Sequence, residues 1–287
     1  MCYNTFIRIV ASLYKGGDFL AKYTFQRFEK KFLLTVEQMD RLIPKLIEHG
    51  MEYDKYCVGG NVYTIYNIYF DDDTSSVIRR SISKPKFKEK FRMRSYVIPT
   101  TGEEKVFLEI KRKVKKIVLK RRAVLKYNEA LAYLKDGTRP ETDDYNKHRM
   151  FDEIDNYLSR NKVKPTIFLS YERIAFFDKV DKNFRITFDR NITTRRYDLD
   201  LAKGSYGDKL LHDNERLMEV KITNALPKWL SDILTEEKIF MSGFSKYGNE
   251  YRRDKGYEFI HLCDRLPGPK SFENKEKTEL KDGLEIL

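Results

Sequence analysis

The sequence predicts an α+β protein: a mostly antiparallel sheet of eight or more strands interrupted by four helices. Three observations predict it. Several short segments alternate charged and apolar residues, the two-residue period of a strand with two unlike faces. Nineteen Tyr and nineteen Phe supply strand-forming side chains. Other stretches place apolar residues at helical spacing between residues that start and stop helices.

The elements follow in order. Residues 1–24 read as a loosely ordered arm ahead of the domain proper. Arg27 to Leu34 is the first strand. Thr35 caps a helix, with Gln38 completing a capping box. Met39, Leu42, Ile43, Leu46 and Ile47 form its apolar stripe, and Gly50 ends it. Pro44 inside that stripe predicts a kink. Val62 to Asp71 is a strand rich in Tyr and Ile, followed by a turn and a short helix or loop from Asp72 to Ser83. Lys88–Val97 and Lys105–Lys113 form a hairpin through Pro99–Gly102, and Lys116–Leu125 adds a third member. Asn128–Lys135 is helical and stops at Gly137. Asn146–Leu158 is helical too, with Met150, Ile154, Tyr157 and Leu158 on its apolar side. Thr166–Phe177 and Asn183–Arg190 pair around a turn, and Arg216–Thr223 is a further strand. A helix opens at Pro227, a favoured first-turn residue, and runs to about Phe240. Ser242–Asn249 mixes Gly, Ser and Lys and reads as a loop. The single domain is expected to span 25–263, with 264–287 a polar tail.

Composition limits the function. At 287 residues the chain has room for one large domain or two small ones. Lys plus Arg is 56 against 44 Asp plus Glu, a net charge of +12. Such an excess draws anions: nucleic acid, acidic membrane or small phosphorylated ligands. Cys2, Cys57 and Cys263 are far apart and read as free thiols of a cytosolic protein. His49, His148, His212 and His261 form no zinc motif. No apolar stretch is long enough for a membrane span. The expected location is the cytoplasm, with any attachment to the inner face of the membrane made through a partner. No Gly-rich dinucleotide loop and no Walker sequence is present.

The charged strand faces carry the chemistry. Lys90, Arg92 and Arg94 point one way, Phe91 and Met93 the other. Leu108–Lys111, Arg185–Asp189 and Met218–Ile222 repeat the plan. The large apolar partners must be buried, so the charged side is either open sheet or the interior of a closed barrel. A basic interior needs bound anions, water or interspersed carboxylates. Arg matches phosphate oxygens with a rigid fork, and Lys adds a movable point charge. Several of each suit a chain of phosphates. Carboxylates would repel that ligand unless a divalent cation lay between, which makes Glu29, Glu109 and Glu219 candidate metal ligands. Pairing with neighbouring Lys and Arg is the alternative reading of all three.

These residues resemble a known family. Arg27-Phe28-Glu29-Lys30-Lys31-Phe32 opens the chain as the polyphosphate-polymerising VTC domain opens. Tyr69-Phe70-Asp71, Lys90–Arg94, Phe107–Lys113, Lys120-Arg121-Arg122, Ser170–Arg173, Arg185–Asp189 and Leu217–Lys221 follow in the family's order and spacing, from about Phe25 to Tyr251. The resemblance implies a triphosphate tunnel metalloenzyme, related to CYTH proteins. Its fold is a closed antiparallel eight-stranded tunnel with helices packed outside. It makes Lys31, Arg92, Arg94, Lys111, Arg173 and Arg185 phosphate ligands that serve catalysis as well as binding. Arg122 joins them, although Lys120 has the same parity and the register decides between the two. Glu219 resembles the principal metal ligand, for Mn2+ or Mg2+, with Glu29 and Glu109 as secondary acids. Lys246, in Phe244-Ser245-Lys246-Tyr247, resembles a lysine near one tunnel mouth after the last helix. The chain looks like the free-standing microbial form of the family.

The resemblance implies an ATP-dependent polyphosphate polymerase whose partners are ATP and polyphosphate. The same site with water as acceptor is an inorganic or nucleoside triphosphatase. A non-catalytic binding module for polyphosphate or RNA is the third reading. Single-stranded RNA binders place aromatics among their basic groups. Here Phe91, Met93, Ile186 and Phe188 take the opposite face, which argues against nucleic acid. Tyr66 and Tyr69 are the aromatics expected to meet the adenine of ATP.

Overall fold

The computed structural model describes residues 28–114, 117–223 and 225–257. The N-terminal arm, the polar tail, Cys2, Cys263 and His261 lie outside the described residues. Among the described residues ten strands are present: β1 (Phe28–Thr35), β2 (Met51–Tyr53), β3 (Tyr63–Asp71), β4 (Phe87–Ser95), β5 (Lys105–Val114), β6 (Ile117–Lys126), β7 (Lys164–Asp178), β8 (Arg185–Arg195), β9 (Asp208–Lys209) and β10 (Glu215–Ile222). Six helices accompany them: α1 (Val36–Glu48), α2 (Ser76–Ile82), α3 (Tyr127–Asp136), α4 (Tyr145–Asn161), α5 (Lys228–Glu236) and α6 (Lys246–Asp254).

Eight strands form one antiparallel path, β1-β10-β8-β7-β3-β4-β5-β6, with the short β2 and β9 attached to β7 and β8. The path curves into a tunnel. Lys111 on β5 reaches Glu29 on β1 at 3.8 Å, so the inner faces near the two ends of the path meet. Among the described residues, side chains rather than a backbone ladder bring these ends together.

The two faces divide as the alternation predicts. Phe91, Met93, Leu108 and Ile110 point outward against Ala130 and Tyr133 of α3 and Phe151, Ile154 and Tyr157 of α4. Phe188, Met218 and Val220 point outward against Leu42 and Leu46 of α1 and Leu230 and Ile233 of α5. Fully burying each such side chain contributes about 1.5–3 kcal/mol, which is what holds the helices on the outside. The inner face is not charged throughout. Leu33, Ile65, Leu169, Ile192 and Leu217 pack with Leu210, Leu211 and Phe244, filling part of the interior with apolar side chains.

Local signals set most boundaries. The Thr35 hydroxyl accepts from the Gln38 amide, and the Gln38 side chain accepts from the Thr35 amide. Pro44 is accommodated within α1, which continues to Glu48. The Pro227 helix is shorter than expected: it stops at Glu236, and Lys238 turns the chain with a φ of 53°. The Ser242–Asn249 loop is corrected to a loop followed by a helix. Ser245 caps α6 by accepting from the Gly248 amide at 3.2 Å. A Cβ at Gly248 would lie 3.0 Å from the Ser245 hydroxyl, so a small residue keeps the cap open. The Ser, Lys and Gly that read as loop residues are therefore the cap (Ser245) and first turn (Lys246, Gly248) of this helix.

Candidate functional site

Three carboxylates inside the tunnel organise the cations. Glu219, on β10, is directly opposite Lys31 of β1 in the register. Its Oε1 lies 3.1 Å from Lys31 Nζ and 3.0 Å from Lys246 Nζ, and its Oε2 lies 3.4 Å from Arg173 Nη2. Burial pushes the Glu219 carboxyl up, but Lys246, Lys31 and Arg173 outweigh burial and hold it well below the usual range. Asp189, on β8, accepts from Arg173 Nε at 2.6 Å and Nη2 at 2.7 Å, and pairs with Lys246 Nζ at 2.6 Å. Glu109, on β5, accepts from Arg92 Nε at 2.7 Å and faces Lys120 Nζ at 2.5 Å, with Arg94 Nε at 3.9 Å. Burial raises the Glu109 carboxyl, yet Arg92, Arg94 and Lys120 bring it down to about 2.

Glu29 sits beside this group, 3.2 Å from Lys31. Burial again acts upward, and Lys111 and Lys31 hold the carboxyl at about 2. Glu29 and Glu219 thus flank one lysine amine. Glu109 belongs to a separate cluster with Arg92 and Lys120. Among the described residues no group of three His, Cys, Asp or Glu side chains converges as a ready-made metal cage.

The cations outnumber what these acids neutralise. Lys90, Arg92 and Arg94 follow one another along β4, paired with Lys111, Glu109 and Phe107 of β5. Lys90 is half-buried and makes no ion pair among the described residues; its amine lies over the Tyr247 ring. Burial first, then Lys111, Lys88 and Lys31, pushes its ammonium down to about 7. Lys221 is pushed down to about 8 by burial and Arg173. Arg94 donates from Nε to Asn67 Oδ1 at 2.9 Å and faces the Tyr171 hydroxyl at 3.3 Å.

The expected site residues are therefore largely brought together. Lys31, Arg92, Arg94, Lys111, Arg173, Glu29, Glu109 and Glu219 all face the interior. Lys120 and Arg122 both do so, because both lie on the inner parity of β6, opposite Lys111 and Glu109. Lys120 is taken by Glu109, while Arg122 stacks on Phe107. Arg185 faces inward but sits apart, 3.6 Å from Asp54 and 3.3 Å from the Tyr63 hydroxyl. Lys246 opens the last described helix rather than following it, and its amine is buried between Asp189 and Glu219. Tyr66 is corrected: it faces the outer core, whereas Tyr69 faces inward and accepts from Arg92 Nη1 at 2.8 Å. Sequence reasoning missed Asp189, Lys90 and Lys221 as site residues. All three stood on the charged side of the quoted alternations, which was the available signal.

This order of cationic and acidic strands coincides with a family assignment. The family model of the VTC domain matches residues 26–253. The chain belongs to the VTC domain family. No curated protein matches it. Among solved structures, this VTC domain is similar to a candidate adenylate cyclase from Bacillus halodurans, at 16% identity, covering 77% of this chain and 95% of that one with a TM-score of 0.46. It is also similar to a candidate adenylyl cyclase from Hippeastrum described as having a dominant triphosphatase activity, at 13% identity, covering 80% and 96% with a TM-score of 0.43. No helix of the VTC domain is long and apolar enough to cross a membrane among the described residues.

Proposed function

We propose that this VTC domain is an ATP-dependent polyphosphate polymerase. The observation that carries the phosphate site is the unneutralised charge at Lys90. A half-buried amine surrounded by Lys111, Lys88 and Lys31, beside Arg92 and Arg94, is the environment a polyanion stabilises. The triphosphate lies along this row. Lys31, Arg92, Arg94 and Lys111 neutralise its oxygens, and Arg122, Arg173, Arg185 and Lys246 complete or orient the surrounding charge.

The donor set fits a divalent cation that shares its ligands with phosphate. Glu219 and Glu29 offer hard carboxylate oxygens on either side of Lys31. Thr187, directly across from Glu219 in the register, keeps a buried hydroxyl oxygen without a hydrogen-bond partner among the described residues. Mg2+ and Mn2+ are commonly held by one or two carboxylates plus substrate phosphates and water. When bound, such an ion would neutralise charge shared between neighbouring phosphate groups.

The transfer needs no side-chain nucleophile. A terminal oxygen of a polyphosphate chain is already ionised. It forms a bond to the γ-phosphorus of ATP while the bond from that phosphorus to the β–γ bridging oxygen breaks. ADP leaves with the electron pair, and the chain is one phosphate longer. The cations of the row that lie farthest from the nucleoside donate to the equatorial oxygens, where charge accumulates during transfer. Incubation of the pure protein with ATP and Mn2+, followed by a gel that resolves chain length, tests the proposal. The expected result is ADP with a ladder of lengthening chains. Free phosphate in step with ADP and no ladder would replace the polymerase by a triphosphatase. Retention of labelled polyphosphate without either product would make it a binding module.

A further inference from the structure

Inner positions next to the basic row change from charged to aromatic. On β4 the series Lys90, Arg92, Arg94 is followed by Tyr96, just past the strand end. On β5 the residue paired with Arg94 is Phe107. On β3 the residue paired with Arg173 is Tyr63. These rings form a chain: Tyr56 to Tyr63 at 6.3 Å between centroids, Tyr63 to Tyr96 at 6.2 Å, and Tyr96 to Phe107 at 5.6 Å. Two arginines extend it. Arg122 lies over Phe107 at 5.1 Å, and Arg185 lies over Phe177 at 4.5 Å with Nη2 facing the Tyr63 hydroxyl.

This collar is not packed away. Tyr56 is 64% exposed and Tyr96 40% exposed. Tyr63 and Phe107 are half-buried. Contiguous rings left open to water, rimmed by polar residues, mark a ligand-binding surface. Strand geometry places Tyr96 one inner position beyond Arg94, roughly 6–7 Å along the strand. A ligand whose phosphates reach Arg94 would therefore bring its next group onto these rings. Only a nucleotide has both parts, a chain of phosphates and a flat, stackable base. Inorganic tripolyphosphate has nothing to offer the collar.

We propose that Tyr56, Tyr63, Tyr96 and Phe107 form a nucleobase platform that selects a nucleoside triphosphate over inorganic tripolyphosphate. The platform rests on the phosphate-row reading above. The base stacks against the collar, with Arg122 and Arg185 offering cation–π and edge contacts. Because every base has a π face, the platform prefers nucleotides to bare phosphate chains without choosing strongly among bases. The growing polyphosphate chain attacks the γ-phosphorus from the side opposite to ADP and so does not compete for these rings.

The test compares ATP with tripolyphosphate on the full chain, by calorimetry with Mn2+ present. Tyr96→Leu and Tyr56→Leu change exposed side chains, so the fold is retained. Each is expected to weaken ATP about tenfold, equivalent to about 1.4 kcal/mol, and to leave tripolyphosphate within about twofold, the range of a neutral surface substitution. Equal weakening of both ligands, or of neither, would overturn the platform. Equal affinity of the unaltered protein for ATP and tripolyphosphate would overturn it while leaving the phosphate row standing. Failure of the unaltered protein to bind either ligand would remove the phosphate-row reading, and the platform with it.

Discussion

Arg173 and Asp189 stand directly opposite each other on β7 and β8 and are joined by two parallel hydrogen bonds of 2.6 and 2.7 Å. Asp189 is fully buried and Arg173 nearly so. The same carboxylate holds Lys246, so one acid fixes two cations from different parts of the chain. Arg173 and Lys246 are thereby kept in place before any ligand arrives, which lowers the ordering cost of binding a polyanion.

Asp189→Asn should consequently destabilise the fold. Removing one partner of a buried ion pair costs roughly 3–5 kcal/mol. Denaturant unfolding of D189N and R173A is expected to show losses of that order for each. The double variant should lose less than the sum, because the two changes break one pair. Strict additivity would mean that Arg173 and Asp189 act independently.

Glu219→Gln is expected to act on both stability and metal affinity. It touches Lys31, Lys246 and Arg173, so Glu219→Gln leaves three cations less well neutralised. A loss of about 1.5–3 kcal/mol is expected from hydrogen bonds to charged groups. Mn2+ affinity, measured with a non-hydrolysable ATP analogue, should fall by at least about 10–100-fold, the range for loss of a merely supporting group. Unchanged Mn2+ affinity in E219Q would move the metal site away from this carboxylate.

Arg94 and Arg185 should separate, although both face inward. Arg94 borders the charge row and spends its hydrogen bonds on Asn67 and Tyr171 rather than on a carboxylate. Arg185 is already engaged with Asp54, Tyr63 and the Phe177 ring. Arg94→Ala is expected to cost tripolyphosphate about 1.5–3 kcal/mol, as for charge-assisted hydrogen bonds. Arg185→Ala should cost less than half of that, and monophosphate should respond weakly to either. Binding titrations with the two phosphates decide it. Equal losses for both ligands would assign these arginines to folding.

Much of this site was legible because strand parity is a local property. Lys90, Arg92 and Arg94 share a face whatever surrounds them, and Phe91 and Met93 must then bury elsewhere. Which carboxylate meets which cation was not legible. Asp189 meets Arg173 through the β7–β8 register, and that register shifts at an irregularity between Ser170 and Glu172. Nor does parity say where charge gives way to apolar filling. Leu33 and Lys31 share a face, but Leu33 packs against Leu217 while Lys31 pairs with Glu219. The α6 cap was hidden by composition, since Ser245, Lys246 and Gly248 carry loop character individually. The Tyr247 hydroxyl, donating to Asp71 at 2.7 Å, and the Lys246 amine, held by Asp189 and Glu219, anchor that turn.

Lys90 is expected to make ligand binding pH-dependent. An ordinary lysine titrates near 10.5, whereas burial and the neighbouring Lys111, Lys88 and Lys31 bring Lys90 to about 7. Between those values the unfolded chain holds a proton that the folded chain has released. Without ligand, this residue's contribution to stability therefore rises with pH across that window. A polyanion reverses the preference, because it favours the charged amine. Tripolyphosphate should bind with proton uptake above about pH 7, and its affinity should fall as pH rises through that value. Lys120 and Lys221, each at about 8, add a further fall at higher pH. Calorimetry in buffers of different ionisation enthalpy, from about pH 6 to 9, measures the protons taken up. Lys90→Met is expected to weaken binding near pH 6 and to flatten the fall around pH 7, leaving only the later one. Comparing the two proteins at each pH cancels the titration of the phosphate chain itself. The same proton uptake in K90M and in the unaltered protein would place the coupled group elsewhere and would remove Lys90 from the phosphate row.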